Sequence, residues 1–175
     1  MVAEKNTAAQ TPMQEFVISR TFDAPRELVF KACSEPAHMQ HWFAPKGFTS
    51  HVAKMDLRPG GMYHYCMRSP DGHEMWGKCI YREVVPPERL VFLQSFSNAK
   101  GEITAHPMSP TWPREMLSTM LFEEKNGKTT LTIKWIPYNA SDAEIKTFED
   151  GRKGMHGGWT GTLDQLTAYL AKIQA

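Results

Sequence analysis

The C-terminal segment, residues 141–173, constrains the fold more than any other part of the chain. Ser141 followed by Glu144 matches a capping box, in which hydroxyl and carboxylate bind free backbone N–H groups where a helix begins. Apolar residues then recur at helical spacing, at Ile145, Phe148, Met155, Trp159, Leu163, Leu166 and Leu170. The pattern predicts one long amphipathic helix, and the remaining chain must supply a surface that covers its apolar stripe.

Glycines at positions 151, 154, 157, 158 and 161 interrupt this predicted helix. Each glycine costs roughly 1 kcal/mol relative to alanine inside a helix. Their concentration therefore indicates a special role, such as a kink, close backbone packing, or open space beside Met155 and Trp159. Close packing and a helix that forms the roof of a cavity are both compatible with the pattern.

Composition excludes several classes of protein. The length of 175 residues favours one domain, which we place at residues 14–175 after a flexible lead at residues 1–13. A net charge of +1 without a basic stripe argues against nucleic acid as the partner. No apolar run approaches the roughly 18 residues of a membrane span, so membrane insertion is not expected. Three cysteines without C-x-x-C spacing and no signal-peptide pattern favour free thiols in the cytoplasm.

Alternating apolar patterns and turn residues predict a strand, two short helices, six strands and the long helix, in that order. The strands are predicted at residues 15–22, 49–57, 62–68, 74–85, 90–96, 115–123 and 129–135, and the short helices at 26–34 and 36–43. In the second strand, Ala53, Met55 and Leu57 should share one face. Short connections make the later strands an antiparallel meander. The expected class is α+β, with a curved sheet around the long helix.

Several motifs in this order resemble those of one known family. They are FDAPRELVF at 22–30, WFAPKGF at 42–48, DLRPGG at 56–61, PDG at 70–72, YREVVPPERLV at 81–91 and GGW at 157–159. The chain thereby resembles the activator of heat-shock-protein-90 ATPase homologue family, within the START-like (SRPBCC) superfamily. The resemblance implies a helix-grip fold. Superfamily members include lipid carriers, binders of hydrophobic ligands, polyketide cyclases and a chaperone-activating domain, so it implies these activities as alternatives.

A ligand cavity between sheet and helix is the first candidate site. Five tryptophans and eleven methionines supply bulky, adaptable apolar surface for it. We predict that its wall includes Tyr65, Trp76, Trp112, Met120, Trp135, Met155 and Trp159. The alternative is that these side chains simply fill a core, and a register slip of one residue would exchange the two faces of a strand. The long loop at residues 98–113, with Trp112, is the candidate gate.

Two further groups of residues favour structural roles. His38 and His41 have helical spacing, but no third metal ligand accompanies them, so we expect no metal site. Asp56 and Arg58 precede a Pro-Gly-Gly turn and should stabilise it.

Catalysis has weaker support in the sequence. His64, Cys66, Glu74 and Glu83 lie on predicted strands and could face inward. The chain lacks a Ser-His-Asp order, a nucleophile elbow and a phosphate loop, so we assign no catalytic residue and no cofactor.

Three functions follow as hypotheses. The first is binding of a small hydrophobic or amphipathic molecule, by a monomer or a homodimer. The second is a protein-interaction module that stimulates a chaperone ATPase. The third is a cyclase or hydrolase of lipophilic, polyketide-like substrates.

Overall fold

The computed structural model describes residues 13–175, so the predicted N-terminal lead lies outside it except for Met13. The strands in this range are β1 (Phe16–Phe22), β2 (Thr49–Met55), β3 (Met62–Arg68), β4 (Glu74–Val85), β5 (Arg89–Ser97), β6 (Glu115–Lys125) and β7 (Lys128–Pro137). The helices are α1 (Arg26–Ala32), α2 (Pro36–Met39), α3 (Asp142–Asp150) and α4 (Arg152–Ile173).

The strands form one antiparallel sheet in the order β1-β7-β6-β5-β4-β3-β2. Strands β2 to β7 therefore form the predicted meander, and β1 pairs with β7 at its end. The sheet is curved around the long C-terminal helix, which confirms the α+β helix-grip fold. The tight β6–β7 hairpin turns at Asn126 and Gly127. Both residues have positive φ angles, 54° and 75°, as a two-residue hairpin turn of this type requires.

Helix α4 covers the sheet with the apolar stripe that the sequence predicts. Met155, Leu163, Leu166 and Leu170 are all buried in the same core cluster as residues of the sheet. Trp159, from the same stripe, remains partly exposed. None of the helices described within residues 13–175 combines the length and the apolar character that crossing a membrane requires.

The C-terminal segment divides at Gly151 into α3 and α4, so the interruption that the glycines indicated lies at the first of them. The capping box is present at the start of α3, because the Glu144 N–H donates to Ser141 Oγ (3.2 Å) and the Ser141 N–H donates to Glu144 Oε2 (3.1 Å). At Gly151 the ring of Trp112 occupies the side-chain space, with Cζ3 3.0 Å from the position a Cβ atom would take. The break is therefore the place where the loop at residues 98–113 packs against the helices.

Strand β2 also departs from the predicted pattern. The register with β3 shifts between Val52 and Lys54, which marks a bulge at Ala53. Ala53 is consequently exposed, while Val52 and Met55 pack against the core. The expectation that Ala53 shares a face with Met55 is wrong because a bulge breaks the alternation of two faces.

Candidate ligand-binding cavity

Two neighbouring pockets lie against the inner face of the sheet. The apolar pocket, about 240 Å³ in volume, is bordered by β3 to β7 and by residues 106–113. The helix groove, about 820 Å³, lies between the sheet, α4 and residues 43–46. The pockets share Tyr65, Met67, Gln94 and Trp135 in their walls, so they adjoin. A separate small cavity of about 30 Å³ lies deeper, between the sheet and the two short helices.

The structure brings most of the sequence-predicted cavity residues together. Tyr65 and Trp135 border both pockets, and Trp112 borders the apolar pocket. Met155 and Trp159 border the helix groove from α4. Met120 is buried on β6 and reaches only the small cavity.

Trp76 touches the apolar pocket, but its ring lies on the other face of the sheet. Strand β4 places Gly77 opposite Tyr65 on the inner face, so the adjacent Trp76 points outward. There its ring lies 4.9 Å from the ring of His64, and its indole donates to Glu74 Oε2 at 3.3 Å. Trp76 therefore borders the apolar pocket while its ring projects from the outer face of the sheet.

His64 and Cys66, which the sequence offered as catalytic candidates, share this outer face with Trp76. His64 is buried beneath the loop, with Nε2 3.1 Å from the carbonyl oxygen of Asn98. Burial raises the pKa of the Cys66 thiol, which disfavours a reactive thiolate. Neither side chain borders the cavity.

The two carboxylate candidates are engaged on the surface. Glu74 pairs with Arg68 (2.5 Å) and Glu83 pairs with Arg89 (3.1 Å). The Arg68 guanidinium and the Trp76 indole hold the pKa of Glu74 below its usual range. Both carboxylates therefore act as ion-pair partners, away from the cavity wall.

Gln94 is a cavity residue that the sequence prediction missed. It borders the apolar pocket, the helix groove and the small cavity. Its Nε2 donates to the hydroxyl of Tyr65 at 3.4 Å, a long hydrogen bond. Burial raises the pKa of that tyrosine, so the hydroxyl stays neutral. Gln94 alternates with Phe92 and Phe96 on β5, and a polar residue at such an inward position is the sequence signal that indicates a cavity residue.

Two tryptophans meet inside the cavity and differ in their hydrogen bonding. The rings of Trp135 and Trp159 lie edge to face, with centroids 5.3 Å apart. The Trp135 indole N–H donates to Ser118 Oγ at 2.9 Å. The Trp159 Nε1 atom is buried and has no hydrogen-bond partner among the described residues.

The glycines of α4 leave space in the groove. Gly157, Gly158 and Gly161 border it, and a Cβ atom built on any of them would meet no described atom within 4 Å. Close packing is therefore the wrong interpretation of these three glycines. Their missing side chains widen the groove beside Trp159.

The loop at residues 98–113 borders the apolar pocket through His106, Trp112 and Pro113. The Trp112 ring lies 5.9 Å from the ring of Phe148 on α3 and 6.3 Å from the ring of His106. His106 Nδ1 accepts a hydrogen bond from the Met108 N–H (3.0 Å), which requires that nitrogen to be unprotonated. Burial lowers the pKa of His106, in agreement with a neutral ring.

The two remaining candidate groups have structural roles. His38 Nδ1 lies 2.6 Å from the Tyr169 hydroxyl and His41 stacks on the same ring, which joins α2 to α4. Arg58 donates to Asp56 at 2.8 Å beside the β2–β3 turn. Within residues 13–175, His, Cys, Asp and Glu side chains form no group of three that could hold a metal ion.

Comparison with known proteins gives a family match for most of the chain. The family model described as Activator of Hsp90 ATPase homolog 1-like protein matches residues 23–171. No curated protein matches the chain.

Solved bacterial structures share the fold. A protein from Staphylococcus epidermidis is 26% identical, with a TM-score of 0.71 and coverage of 93% of this chain and 92% of that one. A protein from Mycobacterium smegmatis is 22% identical, with a TM-score of 0.73 and coverage of 93% and 98%. The AHSA1 protein from Silicibacter pomeroyi is 19% identical, with a TM-score of 0.65 and coverage of 90% and 98%.

Proposed function

This chain belongs to the Activator of Hsp90 ATPase homolog 1-like family, and we propose that it binds a small hydrophobic or amphipathic molecule between the curved sheet and α4. The fold is of a type that generally binds ligands. The observation that carries the proposal is the pair of adjoining pockets, about 240 and 820 Å³ in volume, on the inner face of the sheet. Pockets for small molecules commonly have volumes of about 300–1,000 Å³.

The chemistry of the wall favours an apolar occupant. Met67, Met75 and Met116 line the apolar pocket together with the rings of Trp112 and Trp135. Methionine side chains adapt to irregular shapes, and tryptophan supplies rigid apolar area. Each Å² of apolar ligand surface removed from water contributes roughly 25 cal/mol, before the costs of association are subtracted.

The helix groove has charged residues at its solvent-exposed border. Lys46 is exposed at its border, and Asp164 pairs with Arg20 at 2.5 Å. An amphipathic molecule can therefore bury its apolar part beside Trp159 and keep a polar end near these charges. We place this binding in the cytoplasm, where the buried free thiols of Cys33, Cys66 and Cys79 would stay reduced.

A chaperone-binding role is the second candidate, and the description of the matching family favours it. The loop at residues 98–113 exposes Ile103 and 88% of Met108, which offers an apolar contact for a protein partner. Stimulation of an Hsp90-type ATPase by the purified chain, lost on Met108→Ser substitution, would support this role. The enzyme hypothesis has less support, because its four candidate residues lie outside the cavity wall.

Native mass spectrometry of freshly purified protein tests the binding proposal. We expect a stoichiometric extra mass that leaves on denaturation, and the same spectrum distinguishes a monomer from a homodimer. Extraction of the denatured sample then identifies the compound. A clean apo mass, together with no binding of lipophilic probes in titrations that follow tryptophan fluorescence, would reject ligand binding.

A further inference from the structure

The polar atoms inside the cavity are few and belong to adjoining walls. Gln94 borders the apolar pocket, the helix groove and the small cavity. Trp159 borders the groove and the small cavity. The two side chains therefore border the same interior region, where the Trp159 Nε1 atom lies just beneath the surface.

The indole of Trp159 has an unused donor. Nearly all buried N–H groups in proteins have a hydrogen-bond partner. Trp135, 5.3 Å away, follows this rule because Ser118 accepts its N–H at 2.9 Å. Among residues 13–175 the buried Trp159 Nε1 has no acceptor. Of the two tryptophans, Trp159 therefore has the donor without a protein acceptor, and a molecule in the groove can reach its N–H when the indole ring turns towards the groove.

The amide of Gln94 is only loosely engaged. Its one side-chain hydrogen bond within the described residues is the 3.4 Å contact from Nε2 to the Tyr65 hydroxyl. Protein N–H···O bonds usually measure 2.7–3.2 Å. The amide is therefore free to donate to another oxygen atom in the cavity that it borders together with Trp159.

The lack of charged residues around Gln94 favours a neutral group on the ligand. Neither the apolar pocket nor the small cavity has a Lys, Arg, Asp or Glu among the described residues of its wall. The charged residues of the groove, Lys46 and Asp164, are exposed to solvent. A carboxylate or ammonium group beside Gln94 would be buried without a counter-charge, which is strongly unfavourable.

We propose that the cavity binds a neutral, largely apolar molecule whose carbonyl oxygen accepts a hydrogen bond from the Trp159 indole N–H beside the amide of Gln94. The inference rests on the proposed ligand-binding function and specifies its ligand class. Trp159 and Gln94 are specificity-determining residues in this account, and the methionine and tryptophan walls supply the apolar contact.

Three probes of equal chain length test the proposal in the intact protein: 2-dodecanone, dodecane and dodecanoate. Titrations follow the indole N–H signals of ¹⁵N-tryptophan-labelled protein by NMR. We expect 2-dodecanone to bind about tenfold more tightly than dodecane, the effect of one hydrogen bond to a buried donor that is otherwise unpaired. The ketone should also shift the Trp159 signal more than the Trp135 signal, whereas dodecane should not.

Matched variants separate the donor from the ring. Trp159→Phe keeps an aromatic wall without the N–H, and the affinity ratio of ketone to hydrocarbon should fall towards one. Trp135→Phe also reduces the ring area, but the N–H that it removes is bonded to Ser118 in the wild-type protein. The affinities for ketone and hydrocarbon should therefore fall by the same factor. The dispersion of each variant's spectrum shows that it has folded.

The outcomes distinguish this inference from the broader proposal. Equal affinities of ketone and hydrocarbon in the wild-type protein, or a water contact to the Trp159 N–H that persists in the ketone complex, would overturn the carbonyl assignment and leave ligand binding intact. Tightest binding of dodecanoate would overturn the neutral class. Failure of all three probes to bind, with no bound mass in native spectra, would remove the proposed function and this inference with it.

Discussion

The ring of Tyr65 on β3 lies directly over the backbone of Gly77 on β4, with Cζ 2.5 Å from the position that a Cβ atom of residue 77 would take. Tyr65 also stacks on Tyr63 at a centroid distance of 4.8 Å and meets Phe43 at 5.5 Å. The missing side chain at Gly77 thus lets the tyrosine ring lie flat against the sheet, where it forms a wall common to both pockets.

Gly77→Ala should destabilise the protein because the added methyl group requires the space of the Tyr65 ring. Overpacking of this kind costs about 1–3 kcal/mol in the free energy of unfolding. The ring would also move away from Gln94, so ligand affinity should fall together with stability. Urea denaturation followed by tryptophan fluorescence measures the first effect, and probe titration measures the second.

A double-mutant cycle checks the cause. If the clash with the ring is responsible, Gly77→Ala should cost much less in a Tyr65→Leu background than in the wild-type protein. Equal costs in both backgrounds would show that the backbone at residue 77, rather than the ring of Tyr65, determines the requirement for glycine.

The fold could be predicted from the sequence because local patterns and global packing agree. Alternation along β3 and β4 and the stripe on α4 each require a partner surface, and the α+β helix-grip arrangement supplies both. Which of the five glycines breaks the helix could not be predicted, because the break at Gly151 depends on Trp112, which is distant in the chain.

The site was less predictable than the fold. It depends on the register of the strands and on the space that glycine residues leave open. The sequence pattern does not show that Gly77, not Trp76, lies on the inner face of β4, where its missing side chain leaves room for the ring of Tyr65. Gln94 was overlooked because a glutamine on a strand is usually exposed. The pattern of glycines on α4 could not separate close packing from open space, since both favour the smallest residue.

Gly161→Leu should block binding without unfolding the protein. Gly161 is on the wall of the helix groove, and a Cβ atom there would meet no described atom within 4 Å. The leucine side chain can therefore occupy the groove. Replacing a glycine within a helix should also raise the free energy of unfolding by up to about 1 kcal/mol. Probe titration and thermal unfolding of the same sample measure the two opposite effects.

Gly154→Leu is the matched control on the same helix. Gly154 is equally free of neighbouring described atoms but does not border either pocket. It should show the gain in stability and retain binding. Loss of binding in both variants would indicate that a bend or a movement of α4, rather than filling of the groove, is responsible.

The closure of the apolar pocket should weaken at acidic pH through His106. Burial lowers the pKa of His106 below its usual value of about 6.5. The unfolded or detached loop therefore binds the proton more tightly than the packed loop. The resulting loss of stability is absent well above pH 6.5, grows as the pH falls through 6.5, and is complete below the lowered pKa. Protonation of Nδ1 would also break the hydrogen bond from Met108.

His106→Phe removes this titration and keeps a ring beside Phe96, whose centroid lies 4.7 Å away. Melting temperatures of both proteins between pH 5 and 8 give the measurement. Their difference should depend on pH, with the wild-type protein losing more stability on acidification. Parallel curves would exclude His106 as the titrating group.

Trp112→Ala should speed the release of a bound molecule. Trp112 forms part of the apolar pocket and packs on Phe148 and over Gly151, so it holds residues 98–113 against the helices. Without the ring the loop loses its aromatic contact with α3. We expect dissociation to be about tenfold faster with a smaller change in association, the usual division for changes at one interface. Stopped-flow displacement of a fluorescent probe measures both rates.

Met108→Ala in the same loop is the control. Because 88% of the Met108 surface is exposed, loss of this side chain should leave both rates unchanged. Equal dissociation rates for Trp112→Ala and the wild-type protein would mean that ligands leave through the helix groove, and that residues 98–113 are a fixed wall rather than a gate.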